Sequence, residues 1–288
     1  MKVLLTGGAG GQVGSEFIAL VLLHNGTYAD NGNDTPPSKH IELISLTKQQ
    51  LDITQQTAVK KTIESHKPDI AINCAAYTAV DNAEDAQNIT YAVNRDGVTH
   101  LANACRQANI PLLHISTDYV FDGEQNTPYT ETDLPAPNNV YGKSKWEGEE
   151  SLRSIHPEHI ILRTSWVFSP FGNNFVKTML RLTDKQKLNV VADQWGAPTS
   201  AKSIAQTLLT LCLQYNNEQT LPWGTYHFSG SPHCNWHQFA QKIFESAQTK
   251  NLIKQNITVN AITTEQYPTR AKRPKNSTLD CNKILSTL

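Results

Sequence analysis

An α/β fold built on a doubly wound parallel sheet is what the sequence predicts, and three observations carry the prediction. The apolar run Lys2-Val3-Leu4-Leu5-Thr6 is of buried-strand type. It stops at Gly7-Gly8-Ala9-Gly10-Gly11, after which a helix opens at Gln12-Val13-Gly14. Further short apolar runs alternate with helical stretches through the first half of the chain, at spacings that suit right-handed crossovers. Small residues stand where such runs end, as in Cys74-Ala75-Ala76, and in open α/β sheets ligands lie outside the carboxyl ends of the strands.

Taken in order, the first helix continues through the apolar stretch Ser15 to Leu23. Gly8, Gly11 and Gly14 fit G-x-x-G-x-x-G, a spacing that lets backbone approach a pyrophosphate whose charge sits on the helix N-terminus. A dinucleotide-binding turn of the Rossmann type is therefore expected. The polar segment Gly26 to His40 reads as a surface excursion. A second strand, Ile41 to Leu46, leads into Thr47-Lys48. NAD-binding folds usually carry Asp or Glu about twenty residues or more past the glycines. A threonine hydroxyl and a lysine ammonium accept a 2′-phosphate instead, so NADPH is favoured, with NADH as the alternative.

Asp52-Ile53, a helix from Thr57 to His66 and a strand from Ile70 to Asn73 follow. A long helix is expected near Ala92 to Asn109, and a fourth strand starts at Pro111 and ends in Ser116-Thr117-Asp118-Tyr119. The loop Asp122 to Asn139 delivers the chain to a helix from Val140 through Ser151, then to a strand from Ile160 to Arg163. Residues 1–167 are thus expected to form the cofactor-binding domain. Segments from about 190–230, including a late strand near Thr225 to Phe228, should rejoin it, and 168–288 should mainly form a smaller substrate-binding part.

Composition narrows the function. The 288 residues carry 25 basic and 26 acidic side chains, which offers no footprint for nucleic acid and no polybasic face for a membrane, so small molecules or proteins are the expected partners. Five scattered cysteines without C-x-x-C pairing suit a reducing compartment. No run of about eighteen apolar residues and no leader pattern is present, and the expected location is cytoplasmic.

The chemistry lies in Tyr141 and Lys145, four apart and so on one face of a helix. A phenol with an ordinary pKa near 10 is a poor acid at neutral pH, and a neighbouring ammonium stabilises its phenolate. Such a tyrosine can give a proton to a carbonyl oxygen as hydride reaches the carbon. Thr117, at a strand's carboxyl end, is placed to hydrogen-bond the same oxygen. Tyr141, Lys145 and Thr117 are the catalytic candidates.

At these residues the chain resembles the extended short-chain dehydrogenases/reductases, and within them the dTDP-4-dehydrorhamnose reductase family. The resemblance runs through Ala75-Ala76-Tyr77-Thr78-Ala79-Val80-Asp81, Ser116-Thr117-Asp118-Tyr119-Val120-Phe121 and Asn139-Val140-Tyr141-Gly142-Lys143-Ser144-Lys145. It continues in Arg163-Thr164-Ser165-Trp166, Gly172-Asn173-Asn174-Phe175, Gly196-Ala197-Pro198-Thr199 and Tyr267-Pro268-Thr269-Arg270-Ala271-Lys272-Arg273-Pro274, nearly the whole chain in order.

The resemblance implies reduction of the C4 ketone of a dTDP-4-dehydro sugar by NADPH. Tyr141 would donate the proton, and Lys145 would lower its pKa and hold the nicotinamide ribose. Gln12 and Val13 would line the pyrophosphate turn, Asp52 and Ile53 the adenine, and Ala75, Ala76 and Tyr77 the middle of the cofactor. Asp118 would contact the sugar, and Trp166 would offer it an apolar face, the alternative being a core tryptophan. Asn173 and Asn174 would bind the nucleotide or cap a helix, and Arg273 would pair with the diphosphate or form a surface salt bridge.

Nucleotide-sugar 4,6-dehydratases are set aside because Tyr119 stands where they place an acid, and 4-epimerases because they commonly carry Ser at the place of Thr117. Some family members dimerise through a glutamate-bound metal. Glu16 matches one such position, but Lys202 stands at another, so no structural metal is expected, and the chain is read as a monomer or a non-metal homodimer. His233, Cys234 and His237 are read as structural, with Asn235 to Gln238 a helix cap. A reading from another class also stands: the regulatory β subunit of methionine adenosyltransferase resembles the same reductases and binds NADP without turnover.

Overall fold

The apolar runs that read as strands line up as one parallel sheet. The computed structural model describes residues 1–29 and 40–287. Strand β1 (Lys2–Thr6) leads through the glycine turn to α1 (Gln12–Ala29), and β2 (Glu42–Leu46) to α2 (Gln56–His66) and β3 (Ile70–Asn73). Short helices α3 (Val80–Ala83) and α4 (Gln87–Tyr91) precede α5 (Gly97–Ala108) and β4 (Leu112–Thr117). Then come α6 (Val140–Ile155) and β5 (His159–Thr164).

The second half adds β6 (Val167–Phe168), α7 (Phe175–Arg181), β7 (Lys187–Val191), β8 (Trp195–Gly196) and β9 (Thr199–Ser200). It continues with α8 (Ala201–Glu218), β10 (Gly224–His227), β11 (Cys234–Asn235), α9 (Trp236–Thr249), β12 (Thr258–Ile262) and α10 (Asn282–Leu285). The main sheet has six strands in the order β10-β5-β4-β3-β1-β2, every pair parallel. The late strand, read near Thr225 to Phe228, is thus β10 on its edge.

Strand alternation sorts the core into two layers. Val3 and Leu5 face Phe17 and Val21 of α1 and Ile204 and Leu208 of α8. Leu4 between them points the other way, toward Val59 and Ile63 of α2 and Leu101 of α5. Strands buried on both faces read as continuous apolar runs, which is why β1, β3 and β5 are easily seen. A separate cluster of Met179, Val190, Ile243 and Phe244 joins α7, α9 and the parallel pair β7–β12.

Three boundaries differ from the sequence reading by more than a residue. Helix α1 runs to Ala29, past the expected start of the excursion at Gly26, and the rest of that excursion to residue 39 lies outside the described residues. Helix α6 continues beyond Ser151 to Ile155, where Leu152 is still buried. The long helix near Ala92 begins as a π-helical turn, Ala92–Asp96, because Asn94 is drawn inward to hydrogen-bond Tyr77 and Ser144.

Candidate active site

The chain leaves β1 for β2 on one side and β3 on the other, so the crevice outside the carboxyl ends of β1 and β3 is the switch point of the sheet. A cavity of ≈ 850 Å³ opens there. Its floor is the turn from Gly7 to Gly14, which packs backbone on backbone. Gly7 has φ +67°, and a Cβ on it would lie 2.5 Å from Ala75 N; one on Gly14 would lie 2.5 Å from the Gly8 carbonyl oxygen. Gly11, Gln12, Val13 and Gly14 line the cavity. Gly8 does not: it is buried against Ser45 beneath the turn.

Beyond the glycines, Lys48, Asp52 and Ile53 form one end of the cavity. Lys48 is exposed on the rim, and Asp52 accepts the Thr54 N–H and hydroxyl. Thr47 does not reach the cavity, since both its N–H and its hydroxyl donate to Gln50 Oε1. Ala75, Ala76 and Tyr77 form the middle wall, where Asn94 holds the Tyr77 backbone through its N–H (2.8 Å) and carbonyl (3.1 Å).

At the other end Thr117, Asp118, Tyr141, Lys145, Trp166 and Asn173 converge. Strand β4 ends at Thr117, whose hydroxyl donates to Asp118 Oδ1 at 3.0 Å. Helix α6 starts where Asn139 caps it through the Gly142 N–H (2.8 Å), and this sets Tyr141 in its first turn and Lys145 in its second. Burial pushes the Tyr141 phenol up to about 12, with the Thr117 hydroxyl pulling it down and the Asp118 carboxyl adding to the rise. Burial also lifts Asp118 to about 7, against the Ser277 and Thr117 hydroxyls.

Lys145, expected to act on Tyr141, is held in this structure by groups of β4. Its Nζ donates to the Ile115 carbonyl at 2.7 Å and lies 3.2 Å from His114 Nε2. Burial lowers Lys145 to about 8, opposed by Glu149 and Cys74.

Several candidates are engaged within the chain. Asn174 caps α7 through the Lys177 N–H and donates to Gln12 Oε1, so it steadies the glycine turn from behind the cavity wall. Arg273 lies outside the cavity and forks onto Asp81 at 2.8 and 3.2 Å. Glu16 is buried and accepts the Ser169 hydroxyl. His237 bonds the Val259 carbonyl, and Asn235 and Gln238 form the expected capping box.

Trp166 is neither a simple core residue nor a free face. At φ +46° it stacks flat on Trp236, with ring centroids 3.5 Å apart and planes 9° apart, and both rings line the cavity. Cys74 lines the cavity at the strand end where small residues were expected to leave room, whereas Trp236 and Tyr119 were missed as lining residues. For Trp236 the only signal was an aromatic at the first position of a capped helix.

The cavity fits a dinucleotide beside a polar ligand. Its floor is exposed backbone at a helix N-terminus, and two buried oxygens at the Tyr141 end, Asp118 Oδ2 and Thr164 Oγ1, have no partner in hydrogen-bonding geometry. A family model described as the RmlD substrate binding domain matches residues 1–288. The chain belongs to the RmlD family. A relative from Aggregatibacter actinomycetemcomitans, a dTDP-4-dehydrorhamnose reductase, is 47% identical to this RmlD chain over 285 residues, 99% of the chain and 92% of the relative. The crystal structure of a dTDP-4-dehydrorhamnose reductase from Clostridium acetobutylicum superimposes with a TM-score of 0.86 at 38% identity, covering 100% of this chain and 92% of that one. That of a dTDP-4-dehydrorhamnose reductase from Bacillus anthracis, in complex with NADP, gives 0.84 at 35% identity, covering 99% and 92%.

Proposed function

We propose that the chain is an NADPH-dependent oxidoreductase that reduces the C4 ketone of dTDP-4-dehydro-L-rhamnose to dTDP-L-rhamnose, in nucleotide-sugar and polysaccharide biosynthesis. The observation that carries this reading is the convergence of Thr117, Tyr141 and Lys145 on one cavity whose other end is the glycine turn. Bound NADPH supplies the hydride for the carbonyl carbon. The glycine-turn backbone, Gln12 and Val13 hold the pyrophosphate; Lys48 meets the 2′-phosphate; Ile53 and the Ala75-Ala76 wall flank the rest.

Tyr141, protonated throughout the neutral range because burial raises it, is in the form that an acid catalyst needs, and it gives its proton to O4. Thr117 fixes the carbonyl oxygen, and Lys145 as an ammonium offsets the phenolate charge as it develops. Asp118, raised by burial toward the neutral range, pairs with a sugar hydroxyl as donor or acceptor. Trp166 and Trp236 supply the apolar wall for a deoxysugar.

The division into a cofactor-binding 1–167 and a mainly substrate-binding 168–288, a cytoplasmic location and a monomer or non-metal homodimer belong to the same reading. No described helix is long and apolar enough to cross a membrane. Oxidation of NADPH by the purified chain with enzymatically made dTDP-4-dehydro-L-rhamnose tests the assignment. Binding of NADPH without turnover, with a co-purifying partner enzyme, would replace it by a regulatory module.

A further inference from the structure

Behind Lys145 a row of buried side chains crosses the sheet from β1 to α6: Thr6 (1% exposed), Asn73 (0%), His114 (0%) and Lys145 (2%). Their hydrogen bonds have one consistent direction. Asn73 Oδ1 accepts the Thr6 hydroxyl at 2.7 Å and the Ala75 N–H at 3.0 Å. The Ala75 N–H can only donate, so a flipped amide would set donor against donor, and the Asn73 orientation is settled. Asn73 Nδ2 therefore donates to His114 Nδ1, 3.0 Å away. A neutral imidazole that accepts at Nδ1 carries its hydrogen on Nε2, and that N–H faces Lys145 Nζ at 3.2 Å.

An ammonium in this place would oppose the imidazole N–H, a donor facing a donor among buried groups. An amine accepts that hydrogen and still donates to the Ile115 carbonyl. We propose that His114, fixed as the Nε2–H tautomer by Thr6 and Asn73, is a positioning residue that sets the charge of Lys145, favouring the amine when Nζ faces His114.

The surroundings agree with this. Burial above all, with His159 of β5 and Arg153 of α6, keeps His114 well below its ordinary pKa and hence neutral. Facing Nζ from α6 and from the end of β3 are the Glu149 carboxylate, already shared among Arg163, Arg153 and Ser116, and the Cys74 thiol.

The inference rests on Lys145 acting on Tyr141 as proposed above. The ammonium which that role needs then forms only when Nζ leaves His114, and the alkaline limb of kcat/KM lies below the ordinary lysine pKa of 10.5. Two variants separate this role from a merely structural one. Asn73→Asp is isosteric: its oxygens accept from Thr6, from Ala75 and from a His114 Nδ1–H, which turns the ring's lone pair toward Lys145. His114→Gln offers lysine an amide oxygen.

Nitrogen NMR of ¹⁵N-histidine-labelled protein should show His114 as Nε2–H in the wild type and Nδ1–H in Asn73→Asp. The side-chain ¹³C titration of Lys145 should move up by about one unit or more in both variants, and the alkaline limb of kcat/KM should move with it. A wild-type Nδ1–H tautomer, or a Lys145 titration unchanged in both variants, overturns the proposal. The wild-type tautomer decides by itself if the variants do not fold. The NMR measurements need no turnover, so failure of the reductase assignment would be seen separately.

Discussion

Replacing Gly142 by alanine tests the close approach that builds the site. A Cβ at Gly142 would lie 2.0 Å from the Tyr119 carbonyl oxygen and 2.9 Å from its carbon, whereas real Cβ contacts essentially never fall under 3.0 Å. Helix α6 must then retreat from the Thr117–Tyr119 turn by the difference, roughly 1 Å, and that movement parts Tyr141 from Thr117. Overpacking of this kind costs about 1–3 kcal/mol, and misplacing a reacting group by about 1 Å lowers the rate by about 10²-fold. Urea unfolding reads the first, and kcat for NADPH oxidation with the dTDP-4-dehydro sugar reads the second. NADP⁺ affinity should change little, because the glycine turn lies at the other end of the cavity. A Gly142→Ala enzyme with kcat within about twofold of wild type and an unchanged unfolding midpoint would refute the reasoning.

The remaining predictions concern charge. Arg163→Met strips the buried Glu149 carboxylate of its buried guanidinium partner (2.7 Å) and should destabilise the fold by about 3–5 kcal/mol in urea unfolding, toward the lower end because Arg153 also reaches Glu149. Two buried groups should each lose their contribution to stability with acid, one after the other. Burial holds His227 at about 4 against an ordinary 6.5, so the unfolded chain binds the proton first and stability present above pH 6.5 is lost as pH falls toward 4. Glu149, which burial alone would raise, is brought below 4.5 by Arg163, and its share is lost only below that value. Thermal unfolding across this range checks both stages. Lys48→Ala should raise KM for NADPH about tenfold or more and leave KM for NADH nearly unchanged.

What the sequence made legible was whatever depends on local order. An apolar run broken by glycines can be read without knowing its neighbours, and so can two residues one helical turn apart, hence the glycine turn and the Tyr141–Lys145 face. Strands β1 and β3 were readable because a strand buried on both faces is largely apolar. The direction of a long side chain was not: Lys145 turns to Ile115 and His114, which approach it from β4, and nothing within its own helix announces them. The same holds for Trp236, brought onto Trp166 by the fold of the second half, and for Arg273, whose partner Asp81 is 192 residues away in sequence. Asn174 was equally plausible as cap or ligand until its Oδ1 was seen on the Lys177 N–H.

The most direct test of the account compares wild type with Tyr141→Phe for NADPH oxidation in the presence of dTDP-4-dehydro-L-rhamnose. The substitution removes the hydroxyl and keeps the ring, so NADPH binding should persist while kcat falls by about 10²–10⁴-fold. A Tyr141→Phe enzyme that turns over at the wild-type rate would contradict the central claim.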